Sequence, residues 1–396
     1  MKLAIASGKG GTGKTTVAVN LAALLAARGH HVALADCDVE EPNAHLFLPV
    51  EWKTREQCTL PVPRVNEALC LGAACRRCVD ACRFKALAFM GDAVLDFPDL
   101  CHGCGLCALV CPTGALTYAT RLVGEVRGGI ARIRPAMGTN ADRPDTAERD
   151  LVHTEAAPVL RFRDGVLRIG EAMATPLIKA VKDVPPPTMP QPGPVAQGEG
   201  VQGPCAFVIR DCPPGVACAA INAVHDADLL LLVAEPSPFG LHDLRLAVGL
   251  ARHLRLPHAV VLNRAGMGVG MGSGLGCSGA TPSATAAGGT PAGDPVRAWT
   301  EREGVPLLGV IPFSRAAAEC GATGSLVHDA APEVRAAYAA LADALEKMAG
   351  NAAGPRRPWD GMGLSGLAGL ATPGTAPRVA DESGATTGGK ERTCAR

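Results

Sequence analysis

Aromatic side chains are scarce in this sequence of 396 residues, and three other common features are missing. Aromatic residues make up 3% of the chain, which argues against base-stacking platforms for nucleic acid. Lys plus Arg (38) equals Asp plus Glu (38), so no net charge favours a polyanionic or cationic partner. No uninterrupted apolar stretch reaches the ~20 residues of a membrane span, and no charged-then-apolar leader precedes the first strand. We therefore expect no nucleic-acid partner, no membrane span and a cytoplasmic location.

Cysteine, by contrast, is abundant. The chain has 16 cysteines, and disulfides are rare in the cytosol. This combination predicts metal binding or redox chemistry rather than a disulfide framework.

The N-terminal region contains a phosphate-binding pattern. Residues 7–16 read S-G-K-G-G-T-G-K-T-T, which fits G-x-x-x-x-G-K-[ST], between a short apolar strand and a helix that ends near Gly29. Glycine turns allow backbone N–H groups to surround a phosphate, and the helix N-terminus favours negative charge. We predict that Lys14 binds the β/γ-phosphates of ATP and that the Thr15 hydroxyl binds Mg²⁺. The predicted nucleotide-binding residues of this loop are Gly8, Lys9, Gly10, Gly11, Thr12, Gly13, Lys14, Thr15 and Thr16.

The extra lysine, Lys9, gives K-G-G-T-G-K-T-T, which resembles the deviant P-loop of the MinD/ParA/nitrogenase-iron-protein ATPases. The resemblance implies a homodimer in which Lys9 reaches the partner's nucleotide. From the residues alone, Lys9 is an extra cation near a polyphosphate or a solvated loop lysine. The resemblance also identifies residues 36–43 as switch I, with Asp38 positioning or activating the attacking water. Lys9, Lys14 and Asp38 are then the predicted catalytic residues; a helix-capping role is the alternative for Asp38.

A second motif follows the apolar strand at 205–210, which ends in Asp211-Cys-Pro-Pro-Gly215. An aspartate at the end of such a strand is the Walker-B arrangement, which predicts that Asp211 holds Mg²⁺ through water. The run resembles switch II of the MinD-like family, so Gly215 is predicted to donate its N–H to a γ-phosphate. A simple turn is the alternative. The family also uses an asparagine at the position of Asn263 to bind adenine, where a structural cap is the other interpretation.

Two cysteine runs lie between residues 70 and 111. The second run, Cys101-x2-Cys104-x2-Cys107-x3-Cys111-Pro, is a bacterial ferredoxin pattern. The first run, Cys70-x4-Cys75-x2-Cys78-x3-Cys82, differs from it by a longer first spacing. Because the last cysteine of each run ligates the other cluster in two-cluster ferredoxins, we predict two [4Fe–4S] clusters. The predicted ligands are Cys70, Cys75, Cys78 and Cys111 for one cluster, and Cys82, Cys101, Cys104 and Cys107 for the other. Zinc is the alternative metal.

Alternating strands and helices predict an α/β fold: a doubly wound, mostly parallel P-loop sheet interrupted by a small α+β ferredoxin-like insertion. A strand is predicted over 166–169 and a helix over 170–182, interrupted near Pro176. The predicted organisation is 1–60 and 205–349 for the ATPase, 61–120 for the insertion, 121–204 for a connecting segment with a Pro/Gly linker, a flexible Gly-rich insertion over 266–293, and a disordered tail over 350–396.

The leading hypothesis is a Mg²⁺-dependent ATPase that couples nucleotide-driven movement to electron transfer through two clusters, toward an unidentified redox partner. One alternative is an iron–sulfur cluster carrier, as Mrp-type relatives are. Those relatives have a C-terminal C-x-x-C, and none occurs here after Cys107. Another is a positioning ATPase of the MinD/ParA kind, which the neutral charge and the lack of a terminal amphipathic membrane helix disfavour.

Overall fold

The computed structural model describes residues 1–133, 158–184, 205–266 and 294–351. The Pro/Gly linker after 184, the Gly-rich insertion from 267 and the tail from 352 lie outside the described residues, so those predictions stay predictions. Within the described ranges, no helix is both long and apolar enough to cross a membrane.

Eleven strands are present in the described part of the chain. They are β1 (Lys2–Ala6), β2 (His31–Asp36), β3 (Val50–Val65), β4 (Leu87–Met90), β5 (Ala93–Asp96), β6 (Leu116–Arg132), β7 (Val159–Leu167), β8 (Ala206–Asp211), β9 (Leu229–Ala234), β10 (His258–Ala265) and β11 (Leu307–Pro312). Nine of them form one sheet in the order β11-β10-β9-β1-β8-β2-β7-β6-β3, and β4 pairs with β5 alone. The seven strands from β11 to β7 are parallel. β6 and β3 add to this sheet in antiparallel orientation.

The helices of the described residues are α1 (Lys14–Ala27), α2 (Arg77–Ala81), α3 (Leu106–Leu109), α4 (Thr175–Lys182), α5 (Cys218–Val224), α6 (Pro238–His253), α7 (Pro295–Glu303), α8 (Arg315–Ala322) and α9 (Pro332–Asn351). The buried side chains of α1 and α9 form one core with one face of the sheet. Those of α4, α5, α6 and α7 form a second core on the other face. Strands covered on both faces are continuously apolar, as in β9, whose six residues are all buried. The sheet is therefore doubly wound, as predicted.

A long hairpin of β3 and β6 carries the cysteine-rich segment. The two strands pair from Val50 with Ala131 at one end to Val65 with Leu116 at the other. The pairing of β6 with β7 begins only at Gly124, opposite Leu167. The hairpin therefore extends beyond the rest of the sheet, and residues 66–115, with α2, α3 and the β4–β5 pair, follow its far end. The predicted insertion boundaries at 61 and 120 both lie inside these strands.

Two predicted elements between 159 and 182 were placed wrongly. The strand predicted over 166–169 is β7, at Val159–Leu167, because the carboxylate of Asp164 is buried against Arg127 and does not end the strand. The helix predicted over 170–182 begins only at Thr175. Pro176 lies in its first turn, where a missing N–H costs no helical hydrogen bond, so the proline starts the helix rather than interrupting it.

Candidate functional site

The P-loop connects β1 to α1 along the carboxyl edge of the sheet. Gly11 and Gly13 have φ values of 79° and 91°, which non-glycine residues rarely adopt. A Cβ at Gly13 would collide with the Asn263 side chain, and one at Gly8 would collide with the backbone of Asp243. Gly11 and Gly13 are thus needed for left-handed turns, and Gly8 and Gly13 for close packing against α6 and β10.

The predicted phosphate and magnesium residues lie together at the start of α1 and the end of β8. Lys14 is 6% exposed and Asp211 is fully buried. Neither carboxylate oxygen of Asp211 accepts a hydrogen bond of good geometry among the described residues, although the Thr15 hydroxyl interacts with this carboxylate, and the buried hydroxyl of Thr12 has no partner there. Unpaired buried oxygens are costly unless a ligand satisfies them. These residues therefore fit a Mg²⁺–phosphate group, in which the Thr15 hydroxyl would bind the metal, Asp211 would hold it through water and Lys14 would neutralise phosphate charge.

Three aspartates crowd this edge. Asp36 and Asp211 are register partners at the ends of β2 and β8. Burial, together with the charge of Asp211, raises the pKa of Asp36 well above its usual range. Burial also raises the pKa of Asp211 to about 7, although Thr15 and Lys14 act to lower it. Burial raises the pKa of Asp38 to about 6, against the charge of Lys14. A bound divalent cation would favour the charged forms of these groups, because it adds opposite charge.

Asp36 is a site residue that the sequence reasoning missed. Its two carboxylate oxygens accept hydrogen bonds from the backbone N–H groups of Asp38 at 3.1 Å and Ala44 at 3.0 Å. These bonds hold both ends of the switch I loop and thereby position Asp38. The signal was present in the sequence, since Asp36 is the last residue of its apolar strand.

Lys9 forms an ion pair with Glu235, and its Nζ lies 3.3 Å from Oε2. The other oxygen of Glu235 accepts from Arg264 at 2.6 Å. Glu235, which the sequence reasoning treated only as the start of a loop, therefore joins the P-loop to β10. In this conformation Lys9 contacts a residue of its own chain.

Asn263 and Gly215 both contact the P-loop. Nδ2 of Asn263 donates to the Thr12 carbonyl at 2.8 Å, and its Oδ1 accepts from the N–H of Arg264 at 3.0 Å. The N–H of Gly215 donates to the Ser7 carbonyl at 3.0 Å. Both groups thus lie at the predicted site but have protein partners here. The adenine contact of Asn263 and the γ-phosphate contact of Gly215 remain predictions.

The eight predicted cluster ligands divide between two cavities beside the β3–β6 hairpin. Cys82, Cys101, Cys104 and Cys107 line the first, here called the proximal cavity. Cys70, Cys75, Cys78 and Cys111 line the second, here called the distal cavity. The structure thus groups the eight cysteines into the same two sets of four that the spacing predicted. Cys82 and Cys111 each line the cavity that the other cysteine run mainly serves. The cavities enclose similar spaces of about 380 and 390 Å³, counted out to solvent.

The two cavities lie at different depths along the hairpin. Pro61, Pro63 and Tyr118 line the proximal cavity. Val65 and Leu116, the last pair of the hairpin, line the distal one. From Pro61 to Val65 the strand advances by about 13 Å. The proximal cavity is therefore nearer to the nucleotide edge.

The donor set of both cavities fits a sulfur-ligated iron cluster. Four thiols surround each space, and in the proximal cavity Sγ of Cys82 accepts from the N–H of Ala86 at 3.3 Å and Sγ of Cys101 from that of Gly103 at 3.4 Å. Such N–H to sulfur bonds are a feature of iron–sulfur sites. Among the described residues, no group of three or more His, Cys, Asp or Glu converges on a point that would hold a single metal ion.

The parallel sheet, the P-loop and the buried carboxylate of Asp211 together define a P-loop nucleotide-binding protein. A family model described as the CobQ/CobB/MinD/ParA nucleotide binding domain matches residues 3–271. The chain therefore belongs to this family of nucleotide-binding domains, as the resemblance of the P-loop predicted. Proteins of this family are P-loop ATPases.

Three curated relatives extend the comparison. An uncharacterised protein of Methanocaldococcus jannaschii is 26% identical over 274 residues, which cover 67% of this chain and 81% of that protein. An uncharacterised ferredoxin of the same organism is 43% identical over 53 residues, which cover 13% of this chain and 86% of the ferredoxin. An iron-sulfur cluster carrier protein of Pyrococcus abyssi is 54% identical over 50 residues, which cover 13% of this chain and 17% of the carrier.

Solved structures also match. A septum site-determining protein MinD from Pyrococcus horikoshii, solved with Mg-ADP, aligns with a TM-score of 0.44 at 18% identity and covers 89% of this chain and 99% of that chain.

Proposed function

We propose that this protein binds and hydrolyses Mg·ATP and uses the resulting conformational change to control electron transfer through two [4Fe–4S] clusters. The observation that supports this best is the β3–β6 hairpin. It pairs with β7 next to switch I and continues without interruption to the proximal and distal cavities. A movement at the nucleotide edge thus has a direct structural connection to the cysteines.

Roles at the nucleotide edge follow from position and charge. Lys14 and the loop N–H groups stabilise phosphate charge, which grows as the γ-phosphoryl group leaves. Thr15 and Asp211 hold Mg²⁺. Asp38, kept in place by Asp36, accepts a hydrogen bond from the attacking water and orients it.

The cysteines supply the thiolates of the clusters, four at each cavity. A bound [4Fe–4S] cluster exchanges one electron at a potential that its hydrogen bonds and exposure determine. The chain's own contribution is to fix the thiols, to donate N–H bonds to the sulfurs and to cover part of each cavity.

A homodimer is part of the proposal, because it would bring Lys9 to the partner's nucleotide. In the present conformation the ammonium of Lys9 contacts Glu235, so dimer formation would require Lys9 to leave that carboxylate. Glu235 would keep Arg264 as its partner, so the exchange leaves no carboxylate unpaired.

Cluster delivery is the second candidate function. The local similarity to the Pyrococcus abyssi iron-sulfur cluster carrier protein favours it. The lack of a C-x-x-C after Cys107 disfavours it, because relatives of the Mrp type bear a C-terminal C-x-x-C that the dimer shares.

The deciding experiment is anaerobic purification followed by iron and sulfide counts, ATP hydrolysis and transfer assays with labelled iron. The proposal expects about eight irons per chain, Mg²⁺-dependent hydrolysis, and iron that stays bound in the presence of an apo-ferredoxin. Rapid transfer of the labelled iron would support the carrier function. A colourless protein that contains zinc would contradict both.

A further inference from the structure

Four charged side chains form a compact group between the cysteine module and the ATPase sheet. This junction network consists of Asp99, Arg121, Arg168 and Glu171. Its centre is the pair of Arg121 Nη1 and Glu171 Oε2, which lie 2.6 Å apart with side chains 8% and 0% exposed. Neither the nucleotide chemistry nor the cysteine ligation accounts for this network.

One side of the junction network contacts the proximal cavity. Nη2 of Arg121 donates to the carbonyl of Cys101 at 3.4 Å. Asp99, two residues before Cys101, lies 3.7 Å from Nη1 of Arg121. The position of this proximal ligand is therefore fixed in part by the guanidinium.

The other side is connected to switch I through Leu167, the residue before Arg168. Glu171 also approaches Arg168 at 3.4 Å. The N–H of Arg168 donates to Val123 of β6 at 2.9 Å, and the N–H of Leu167 donates to the carbonyl of Val39 at 3.0 Å. Val39 directly follows Asp38, the residue predicted to orient water.

The contact at Val39 is tight as well as hydrogen-bonded. A Cβ added at Gly165 would lie only 2.8 Å from Cγ1 of Val39. Switch I therefore rests directly on the backbone of β7, and a shift of Val39 requires a shift of β7 or a break in this packing. Packed interfaces of this kind pass small displacements on rather than absorbing them.

A buried ion pair is suited to transmit such a shift. Once guanidinium and carboxylate are out of water, separating them is strongly unfavourable, because each loses its nearest opposite charge. Arg121 and Glu171 must therefore move together. No hydrogen bond of the junction network reaches a residue that lines the distal cavity, within the described part of the chain.

We propose that the junction network is the positioning device that couples switch I to the proximal cavity, and that the distal cavity is outside this coupling. The proposal rests on the proposed function, because it presupposes a cluster in each cavity and a switch I that responds to ATP. It adds which cavity responds and which side chains carry the response.

The test is an EPR-monitored redox titration of the anaerobic full-length protein with and without Mg·ATP, in four forms. Wild type is compared with Glu171→Gln, with the double variant Arg121→Met/Glu171→Met, and with Glu125→Gln. The last makes the same chemical change in β6, the strand that carries Arg121, in a solvent-exposed ion pair with Arg55. The double variant removes both charges, which buried pairs often tolerate, and it decides the matter if Glu171→Gln does not fold.

We expect Mg·ATP to shift the proximal potential of wild type and of Glu125→Gln by a coupling on the order of tenfold, which is about 59 mV for one electron. The shift should disappear in the two network variants while the distal potential stays constant in all four forms. If these residues only supported the fold, the variants would change stability or iron content, but Mg·ATP would still shift the proximal potential.

Two results would overturn the proposal in distinguishable ways. If the proximal shift persists in both network variants, or if the distal potential shifts equally, the junction network is not the coupling element and the proposed function stands. If neither potential of wild type responds to Mg·ATP, the nucleotide coupling itself is wrong.

Discussion

The proximal and distal cavities are each lined by four cysteine thiols, but the surroundings of the two cavities differ. The proximal cavity contains the buried Cys101 and the exposed Cys104, and Phe84 and His102 stack at its edge, 3.6 Å between ring centroids. The thiols of the distal cavity are all half-buried, and Arg76 and Arg77 line that cavity instead of aromatic rings. Burial, nearby charge and hydrogen bonds set the potential of a cluster. Although each cavity has four thiols, we therefore expect clusters in the two cavities to differ in potential.

Loss of one cavity's cluster is the largest expected effect, and the exchanged ligands make it specific. Cys82→Ala should remove the proximal cluster, and Cys111→Ala the distal one, although each cysteine lies in the run that mainly serves the other cavity. Iron should fall from about eight to about four per chain in each variant. EPR of the reduced protein identifies the cluster that remains.

Cys58→Ala is the matched control, because this half-buried cysteine of β3 lines neither cavity. It should retain all the iron. If Cys82→Ala and Cys111→Ala removed the same signal, the division of thiols between the cavities would be wrong.

The second effect separates nucleotide chemistry from cluster binding. Lys14→Ala removes the buried cation of the P-loop, so ATP hydrolysis should fall by about 100-fold or more. Iron content should remain that of wild type, and the ATP response of the proximal cavity should vanish, leaving the two cavities alike in this respect. Steady-state phosphate release and iron counting measure both, with the exposed Lys53→Ala as control. Wild-type hydrolysis in Lys14→Ala would exclude this loop as the site.

The third effect concerns pH. Burial raises the pKa of Asp38 to about 6 in the nucleotide-free protein, and bound Mg²⁺ favours its charged, water-orienting form. Hydrolysis should therefore decline only as pH falls below that value. The same ionisation of Asp38, which favours hydrolysis, lowers the stability of the fold. Asp38 ionises near pH 3.9 in the unfolded chain but only at about 6 in the folded one, so its ionisation destabilises the fold at pH 8.

Asp38→Asn should therefore abolish hydrolysis and raise the urea midpoint at pH 8, with a smaller gain at pH 5. Neither cavity should lose iron at pH 8, which distinguishes this variant from the cysteine variants. A urea midpoint unchanged at pH 8 would show that the Asp38 carboxylate is not strained by burial.

The smallest effect tests the covering of the proximal cavity. Phe84→Ala removes the stacking with His102, worth about 1 kcal/mol, so a chelator should extract proximal iron several times faster while distal iron is unaffected. Phe97→Ala is the control, since both rings are 41% exposed and Phe97 lines neither cavity. Iron release followed by absorbance shows the two phases. Equal acceleration in both variants would mean that the ring pair does not protect the site.

The sequence predicted the features that depend on local patterns. The P-loop glycines, the Walker-B aspartate at the end of an apolar strand and the cysteine spacings are each encoded within a few residues. The structure places the P-loop residues Lys14 and Thr15 beside Asp211. It also divides the eight cysteines between two cavities in the two sets of four that were predicted. Local spacing works here because a loop that wraps a small inorganic group must be short.

What the sequence did not reveal depends on partners far apart in the chain. Arg121 meets Glu171 at a separation of 50 residues, and Lys9 of the P-loop meets Glu235, the residue after β9. The length of the hairpin was also missed, because β3 carries two prolines and many polar residues and becomes a strand through its pairing with β6. Such pairings arise from tertiary packing rather than from propensity.

The most direct test of the coupling between nucleotide and cluster is the affinity of the wild-type protein for Mg·ATP, measured once oxidised and once reduced under anaerobic conditions. Linkage requires that any effect of ATP on a potential be matched by an effect of reduction on ATP binding. The account predicts dissociation constants that differ on the order of tenfold. Equal constants in the two redox states would contradict it.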